Sequence, residues 1–292
     1  MADPRVTVII ATYNWSSVLR YSVRSVLRQS FIDFELLVVG DGCTDDSEEV
    51  VASFGDRRVR WINLPENTKH SSGPNNEGLR QARGELIAYL GHDDLWLPHH
   101  LACLVEAIDA TGSDLAYSLG MNVAADEQYL WPTIPRPQLG SFSSPLCMMH
   151  RRRVTEEMGG WCHYRKLLRT TPDVELWRRA QKAGYAFTFV PRLTAIKFPA
   201  GHRRDVYATR PCHEQAAWLA RIEAEPDFEA RQLVSFITGE AVPTGMPYRE
   251  LLWNVARQTT ALFRIRLAGV APWFRFRQRT SIDEIRRFKG LK

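Results

Sequence analysis

Short runs of β-branched and aliphatic residues alternate with segments of helical period over the first ninety residues, and that alternation limits the possible folds more than any other feature of the chain. Val6 to Ala11 has no helical period and reads as a buried strand, and Glu35 to Val39, closed by Gly40, reads as a second. Between them Val18, Leu19, Ser22, Val23, Val26 and Leu27 recur at helical spacing, with Asn14 or Ser16 positioned to cap the first turn. The pattern continues as a helix over 45–53, a strand over 59–64, a helix over 75–82 and a strand over 86–90. Four such alternations predict βαβ units, and therefore an α/β fold on a mostly parallel sheet flanked by helices.

Regularity fades farther on. Pro98 opens a helix over 99–110, residues 115–119 form one more strand, and the proline- and serine-rich stretch 126–145 predicts loops with short antiparallel pieces. Helices resume over 174–182 and after Pro211. With 292 residues, 45% hydrophobic and 24% charged, the chain has the composition of a folded enzyme-sized unit and not of a disordered one. The apolar run after Arg5 is too short for a signal-peptide core, and no window approaches the ~20 apolar residues of a membrane span. Five widely spaced cysteines with no C-x-x-C pair read as reduced thiols. These features predict a cytoplasmic protein whose membrane contact, where it has one, is peripheral at the inner face.

In a parallel α/β sheet, ligands bind beyond the carboxyl ends of the strands. Here those positions are polar: Thr12-Tyr13-Asn14 after the first strand, Asp41-Gly42-Cys43-Thr44-Asp45-Asp46 after the second, Gly91-His92-Asp93-Asp94 after the fourth. Each cluster alone is also what a helix cap looks like, but three at one sheet edge make a candidate pocket for a polar ligand. Asp93 and Asp94 repel one another unless they are solvated or share a cation. Either they form a solvated turn, or they hold Mg²⁺ or Mn²⁺, which bind through one or two carboxylates together with substrate phosphates. His92 is either a metal ligand or an exposed or capping histidine.

Residues 6–14 (Val-Thr-Val-Ile-Ile-Ala-Thr-Tyr-Asn), residues 38–45 (Val-Val-Gly-Asp-Gly-Cys-Thr-Asp), Asn76-Glu77-Gly78 with Ala82-Arg83-Gly84-Glu85, and His92-Asp93-Asp94-Leu95-Trp96 before Pro98 resemble, in order and spacing, the motifs of family 2 glycosyltransferases. The resemblance is close over about residues 5–105 and looser to about 205. It implies a GT-A (Rossmann-like) fold, a nucleoside-diphosphate sugar donor, a divalent metal (Mn²⁺ or Mg²⁺) and inversion at the anomeric carbon. It places Thr12, Tyr13, Asn14, Asp41, Asn76 and Asp93 in nucleotide binding. Asp41 would accept from the base imide, which favours uracil or thymine, and Asp94 would ligate the metal from a solvent-open strand end. The chain departs from the pattern at Gly40 and Gly91, where the family has aspartates, and at Asn75, where arginine is common.

The resemblance also divides the chain into a catalytic domain over 1–210, with a nucleotide-binding half over 1–120 and an acceptor half over 121–210, and a helical C-terminal extension over 211–292. Asp173, in Thr171-Pro172-Asp173-Val174-Glu175, matches the family's general base, with a helix cap as the rival role. His202 would complete a metal shell, and Arg203 or Arg204 would neutralise the diphosphate. Residues 249–292 hold eleven of the chain's Arg and Lys against three acids, interleaved with Trp253, Phe263, Trp273, Phe274, Phe276 and Phe288. That region is either a face for an anionic membrane or a subdomain packed on the core. No nucleic-acid partner is expected, because no recognition motif accompanies the charge. The function implied is metal-assisted transfer from a UDP- or dTDP-sugar to a saccharide or lipid-linked acceptor in surface polysaccharide biosynthesis. A nucleotide-binding relative without turnover and a sugar-nucleotide pyrophosphorylase are the alternatives.

Overall fold

The computed structural model describes residues 3–125, 130–133, 144–163, 171–238 and 287–290. Strands β1 (Val6–Thr12), β2 (Phe34–Gly40), β3 (Val59–Asn63) and β4 (Leu86–Gly91) are joined by α1 (Ser16–Leu27), α2 (Ser47–Ala52) and α3 (Ser72–Gln81). All four strands are parallel, with β1 between β2 and β4. Successive side chains of a strand point to opposite faces. Val6, Val8 and Ile10 pack against Leu19, Val23 and Val26 of α1 and against Leu101 and Leu104 of α4 (His100–Thr111). Ile9, Leu37, Val39 and Ile87 pack against Val154 of α5 (Arg152–Met158) and against Leu176, Trp177 and Ala180 of α6 (Pro172–Lys182). Both faces are covered, so these strands read as continuous apolar runs.

Beyond β4 the sheet becomes mixed. Its order is β3-β2-β1-β4-β8-β6-β9-β5, with β7 paired to β6. The added strands are β5 (Leu95–Trp96), β6 (Leu115–Val123), β7 (Leu130–Thr133), β8 (Met148–Arg151) and β9 (Phe187–Lys197). β6 and β9 run with the first four strands, whereas β5, β7 and β8 run against them. β6 extends past the predicted residue 119 because Met121 and Val123 are buried with Leu95, Phe198 and Trp218. α3 starts three residues before the predicted 75, since Pro74 lies in its first turn, where the missing N–H costs nothing.

Neither predicted residue caps α1 with its side chain. Its first turn is held from the loop after β2: the Ser16 N–H donates to Asp45 Oδ2 at 3.0 Å, and Ser16 Oγ donates to Asp46 Oδ1 at 2.5 Å. These bonds tie the ends of β1 and β2 together. After residue 211, α8 (His213–Ala224) and α9 (Phe228–Thr238) pack Trp218, Leu219, Ile222 and Phe228 against Leu95, Met121, Leu193 and Ile196 of the sheet. Apart from residues 287–290, the rest of the predicted helical extension, including Trp253, Phe263, Trp273, Phe274 and Phe276 of the expected membrane face, lies outside the described residues. Among the described residues no helix is long and apolar enough to cross a membrane.

Candidate functional site

Ligands of α/β sheets gather where strand ends expose backbone and polar side chains. Thr12 and Tyr13 after β1, Asp41 after β2, and Gly91, His92 and Asp93 after β4 line one cavity of about 200 Å³. Asn67, Lys69 and His70 from the β3–α3 loop and Tyr207 of α7 (Val206–Thr209) complete the wall. A larger depression, about 710 Å³, lies at the opposite ends of the strands. Its arginines are matched by acids, Arg5 by Glu85 and Asp109, Arg83 by Glu35, and Arg151 by Glu85. That pairing makes it a surface ion network.

Asp41 is buried and anchors one wall: Oδ1 accepts from the Thr68 N–H at 2.8 Å and from Thr68 Oγ1 at 2.7 Å. Thr12 Oγ1 lies 2.9 Å from His92 Nδ1. Burial pushes His92 down to about 4, against the pull of Asp94 and Asp45, so the imidazole is neutral near pH 7. It is thus a buried partner of Thr12, and of the readings offered the exposed one does not hold.

Asn14 and Asn76 hold loops. Asn14 Oδ1 accepts from the Thr44 N–H at 2.7 Å, with the asparagine in the left-handed conformation at φ 45°. Asn76 exchanges two bonds with the backbone of Trp161, Nδ2 to the carbonyl at 2.9 Å and Oδ1 from the N–H at 2.8 Å. Neither lines the cavity with Thr12, Tyr13, Asp41 and Asp93.

The two acids after β4 converge. A Cβ placed on Gly91 would stand 2.5 Å from Asp94 Oδ2 and 3.2 Å from Asp93 Oδ1, so both carboxylates occupy the space over this glycine and exclude a side chain there. Gly40 has a similar cause, since a Cβ would meet Asn63 Oδ1 at 2.5 Å. Asp94 is only 3% exposed, so the expected solvent-open position is not observed. Its Oδ1 accepts from the Phe198 N–H at 2.9 Å, and its Oδ2 lies 3.5 Å from Lys197 Nζ. Burial raises the pKa of both acids, with Lys197 opposing it. Two converging carboxylates fit the way Mg²⁺ or Mn²⁺ binds with substrate phosphates as its other ligands. They do not make an all-protein cage, and no group of three or more His, Cys, Asp or Glu suited to a metal occurs among the described residues.

Lys197 is the last residue of β9 and carries no motif that marks it in the sequence. Desolvation works against its charge, but Asp94, Asp93 and Asp173 outweigh it and hold the ammonium above the ordinary lysine range. Asp173 thus acts electrostatically on Lys197, the lysine that also faces Asp94. It sits in the first turn of α6, opened by Pro172. Glu175, one residue beyond Val174, is instead paired with Arg179 at 2.9 Å.

The segment after β9 divides its residues. His202 is exposed on a 3₁₀ turn. Arg203 is 7% exposed and forks onto Glu214 with two bonds of 2.7 Å, while its remaining N–H groups reach the carbonyls of Val123, Ala124 and Pro199. It ties β6, β9 and α8 together. Arg204 has an 82% exposed side chain and meets Asp205 at 3.5 Å.

A family model described as glycosyl transferase family 2 matches residues 7–177. The Escherichia coli UDP-Glc:alpha-D-GlcNAc-diphosphoundecaprenol beta-1,3-glucosyltransferase WfgD is 35% identical over 101 residues, 35% of this chain and 40% of that protein. Three of the curated relatives, this one among them, are matched over about a third to two fifths of their length. Among solved structures, S. aureus TarS in complex with UDP-GlcNAc superposes with a TM-score of 0.59 at 17% identity, covering 80% of this chain and 71% of that one. The mannosyltransferase PcManGT from Pyrobaculum calidifontis, in complex with GDP-Man and Mn²⁺, gives 0.55 at 16% identity, covering 94% and 89%. These likenesses establish the fold expected from the sequence.

Proposed function

The chain belongs to glycosyl transferase family 2, a family of enzymes, and from that premise we propose that it moves a sugar from a UDP- or dTDP-sugar to a saccharide or lipid-linked acceptor in surface polysaccharide assembly. The observation that carries this reading is the convergence of three strand ends on one cavity, with Asp93 and Asp94 meeting over Gly91. Support for a lipid-linked acceptor comes from the E. coli relative, whose name records a diphosphoundecaprenol acceptor.

In the proposed site the base lies against Thr12 and Tyr13, and Asp41 accepts its imide N–H. Asp93 and Asp94 face the diphosphate and would hold Mn²⁺ or Mg²⁺, which supplies positive charge to the departing phosphates. Inverting transfer is one displacement, in which the acceptor oxygen bonds to the anomeric carbon as the glycosidic bond to the diphosphate breaks. Asp173 takes the acceptor hydroxyl proton during that step. Lys197 supports the ionised state of the carboxylates around it through its own charge. Arg203 acts in this scheme by fixing the loop after β9, since its guanidinium is occupied by Glu214.

A thermal-shift screen of UDP, dTDP, GDP and CDP with and without Mn²⁺ tests the reading, because a ligand bound only by the folded state raises apparent stability. Metal-dependent stabilisation by UDP or dTDP is expected. A response to GDP or CDP alone would overturn the base assignment. Release of free nucleoside diphosphate from the matching donor separates transfer chemistry from pyrophosphate exchange and from binding without turnover.

A further inference from the structure

The cavity wall carrying Tyr207 is built from two stretches of chain far apart in sequence. α7 is a single helical turn between two non-glycine residues in the left-handed conformation, Asp205 at φ 53° and Arg210 at φ 50°. Such backbone persists only where its surroundings over-determine it. At Asp205 residues 287–290 do so. The Asp205 N–H donates to the Phe288 carbonyl and the Tyr207 N–H to the Lys289 carbonyl, each at 2.9 Å. Gly290, at φ 77°, lies so close that a Cβ would stand 3.0 Å from Ala208 Cβ. Tyr207, held in this way, lines the cavity with Asp93 and packs against Trp15 at 5.4 Å and His92 at 5.9 Å.

Lys289 is therefore bonded through its own carbonyl to a residue that lines the cavity, Tyr207. The Lys289 charge acts on Asp93, a residue of the cavity wall. A diphosphate would bring further negative charge to a wall that already includes Asp41 and Asp93, while Arg203 is taken up by Glu214. We propose that Lys289 is a donor-binding residue whose ammonium pairs with the diphosphate of the bound nucleotide, positioned by the clasp of residues 287–290 on the turn at Asp205–Ala208. The inference rests on the nucleotide-sugar reading above.

The test is calorimetric titration of the full chain with UDP and with uridine, in wild type, Lys289→Ala, Lys289→Arg and Gly290→Val, alongside melting curves. Lys289→Ala is expected to weaken UDP binding by about tenfold, the scale of one hydrogen bond to a charged group, and to leave uridine unchanged. Lys289→Arg should retain UDP affinity. Gly290→Val should reproduce the loss without removing a charge, because a β-branched residue resists positive φ and would push the segment off Ala208. UDP affinity unchanged in both Lys289→Ala and Gly290→Val overturns the proposal, and so does an equal loss for UDP and uridine. If wild type prefers GDP or CDP, the uracil reading fails and the same variants are titrated with that nucleotide and its nucleoside. If wild type binds no nucleoside diphosphate, both readings fall.

Discussion

Lys197 Nζ lies 3.5 Å from Asp94 Oδ2 and donates to Ser144 Oγ at 3.0 Å, so the strand-end acids have an internal counter-ion contributed by β9. An ammonium and a divalent cation compete for one carboxylate oxygen, and like charges at this range repel strongly in a partly desolvated site. Lys197→Gln is therefore expected to tighten Mn²⁺ binding several-fold in the presence of UDP. Unchanged or weaker Mn²⁺ affinity in a metal titration would refute the competition.

Asp94 has a second duty, accepting from the Phe198 N–H at 2.9 Å. Asparagine can keep that bond through its carbonyl oxygen while losing the charge. Asp94→Asn should fold normally and lose metal-dependent UDP binding. Asp94→Ala should lose the binding and, in addition, about 1–3 kcal/mol of stability, because a buried N–H is left unpaired. Denaturation curves and UDP titrations with and without Mn²⁺ distinguish the two. Equal metal-dependent affinity in wild type and Asp94→Asn would remove Asp94 from the metal site.

For Asp173 the discriminating change is also to asparagine, which preserves shape and capping capacity but cannot take a proton. Asp173→Asn should bind donor normally and lose transfer by on the order of 10²-fold or more. A helix-capping role predicts nearly intact turnover with a loss of roughly 1 kcal/mol or less. Wild-type initial rates in a folded, donor-binding variant would send the search for the base elsewhere.

Lys69 adopts φ 67°, a conformation that glycine takes without steric cost, and it is the one lysine or arginine among the described residues that line the cavity. The flanking backbone is fixed by the grip of Asp41 on Thr68. Lys69→Gly should therefore raise stability by up to about 1 kcal/mol while weakening nucleotide binding. The opposed signs are the point of the measurement. Lower stability, or unaltered affinity for UDP, would mean that the lysine serves the loop and not the ligand.

Acid should destabilise the fold through His150. Its imidazole is fully buried, lies 3.1 Å through Nε2 from Tyr89 Oη and bonds through Nδ1 to the Arg151 carbonyl at 2.9 Å. Burial pushes its pKa down to about 4, while the carbonyl bond pulls upward. The unfolded chain binds this proton near pH 6.5 and the folded one only near pH 4, so the contribution is complete above the first value and lost as pH falls toward the second. The full effect is roughly 3 kcal/mol. Denaturation midpoints between pH 7 and 4.5 should fall less steeply in His150→Gln than in wild type. Parallel slopes would show that other groups carry the acid sensitivity.

The βαβ alternation, the two-sided burial of β1, β2 and β4, and the polar character of the positions after them are legible in the sequence because burial period is set by neighbouring residues along one element. The acid pair Asp93-Asp94 is legible for the same reason, since adjacency alone raises the question of a shared cation. Which side chains face the cavity is decided elsewhere. Asn14 and Asn76 carry motif positions yet hold the loops at Thr44 and Trp161, and Arg203 is drawn into a buried pair with Glu214. Lys197 arrives from β9 and Lys289 from a segment clasped to α7, positions without a local pattern to mark them. Hydrogen-bond and ion-pair partners are chosen by long-range approach of the backbone, and only the tertiary structure brings residues 41, 93, 94 and 197 to one edge of the sheet.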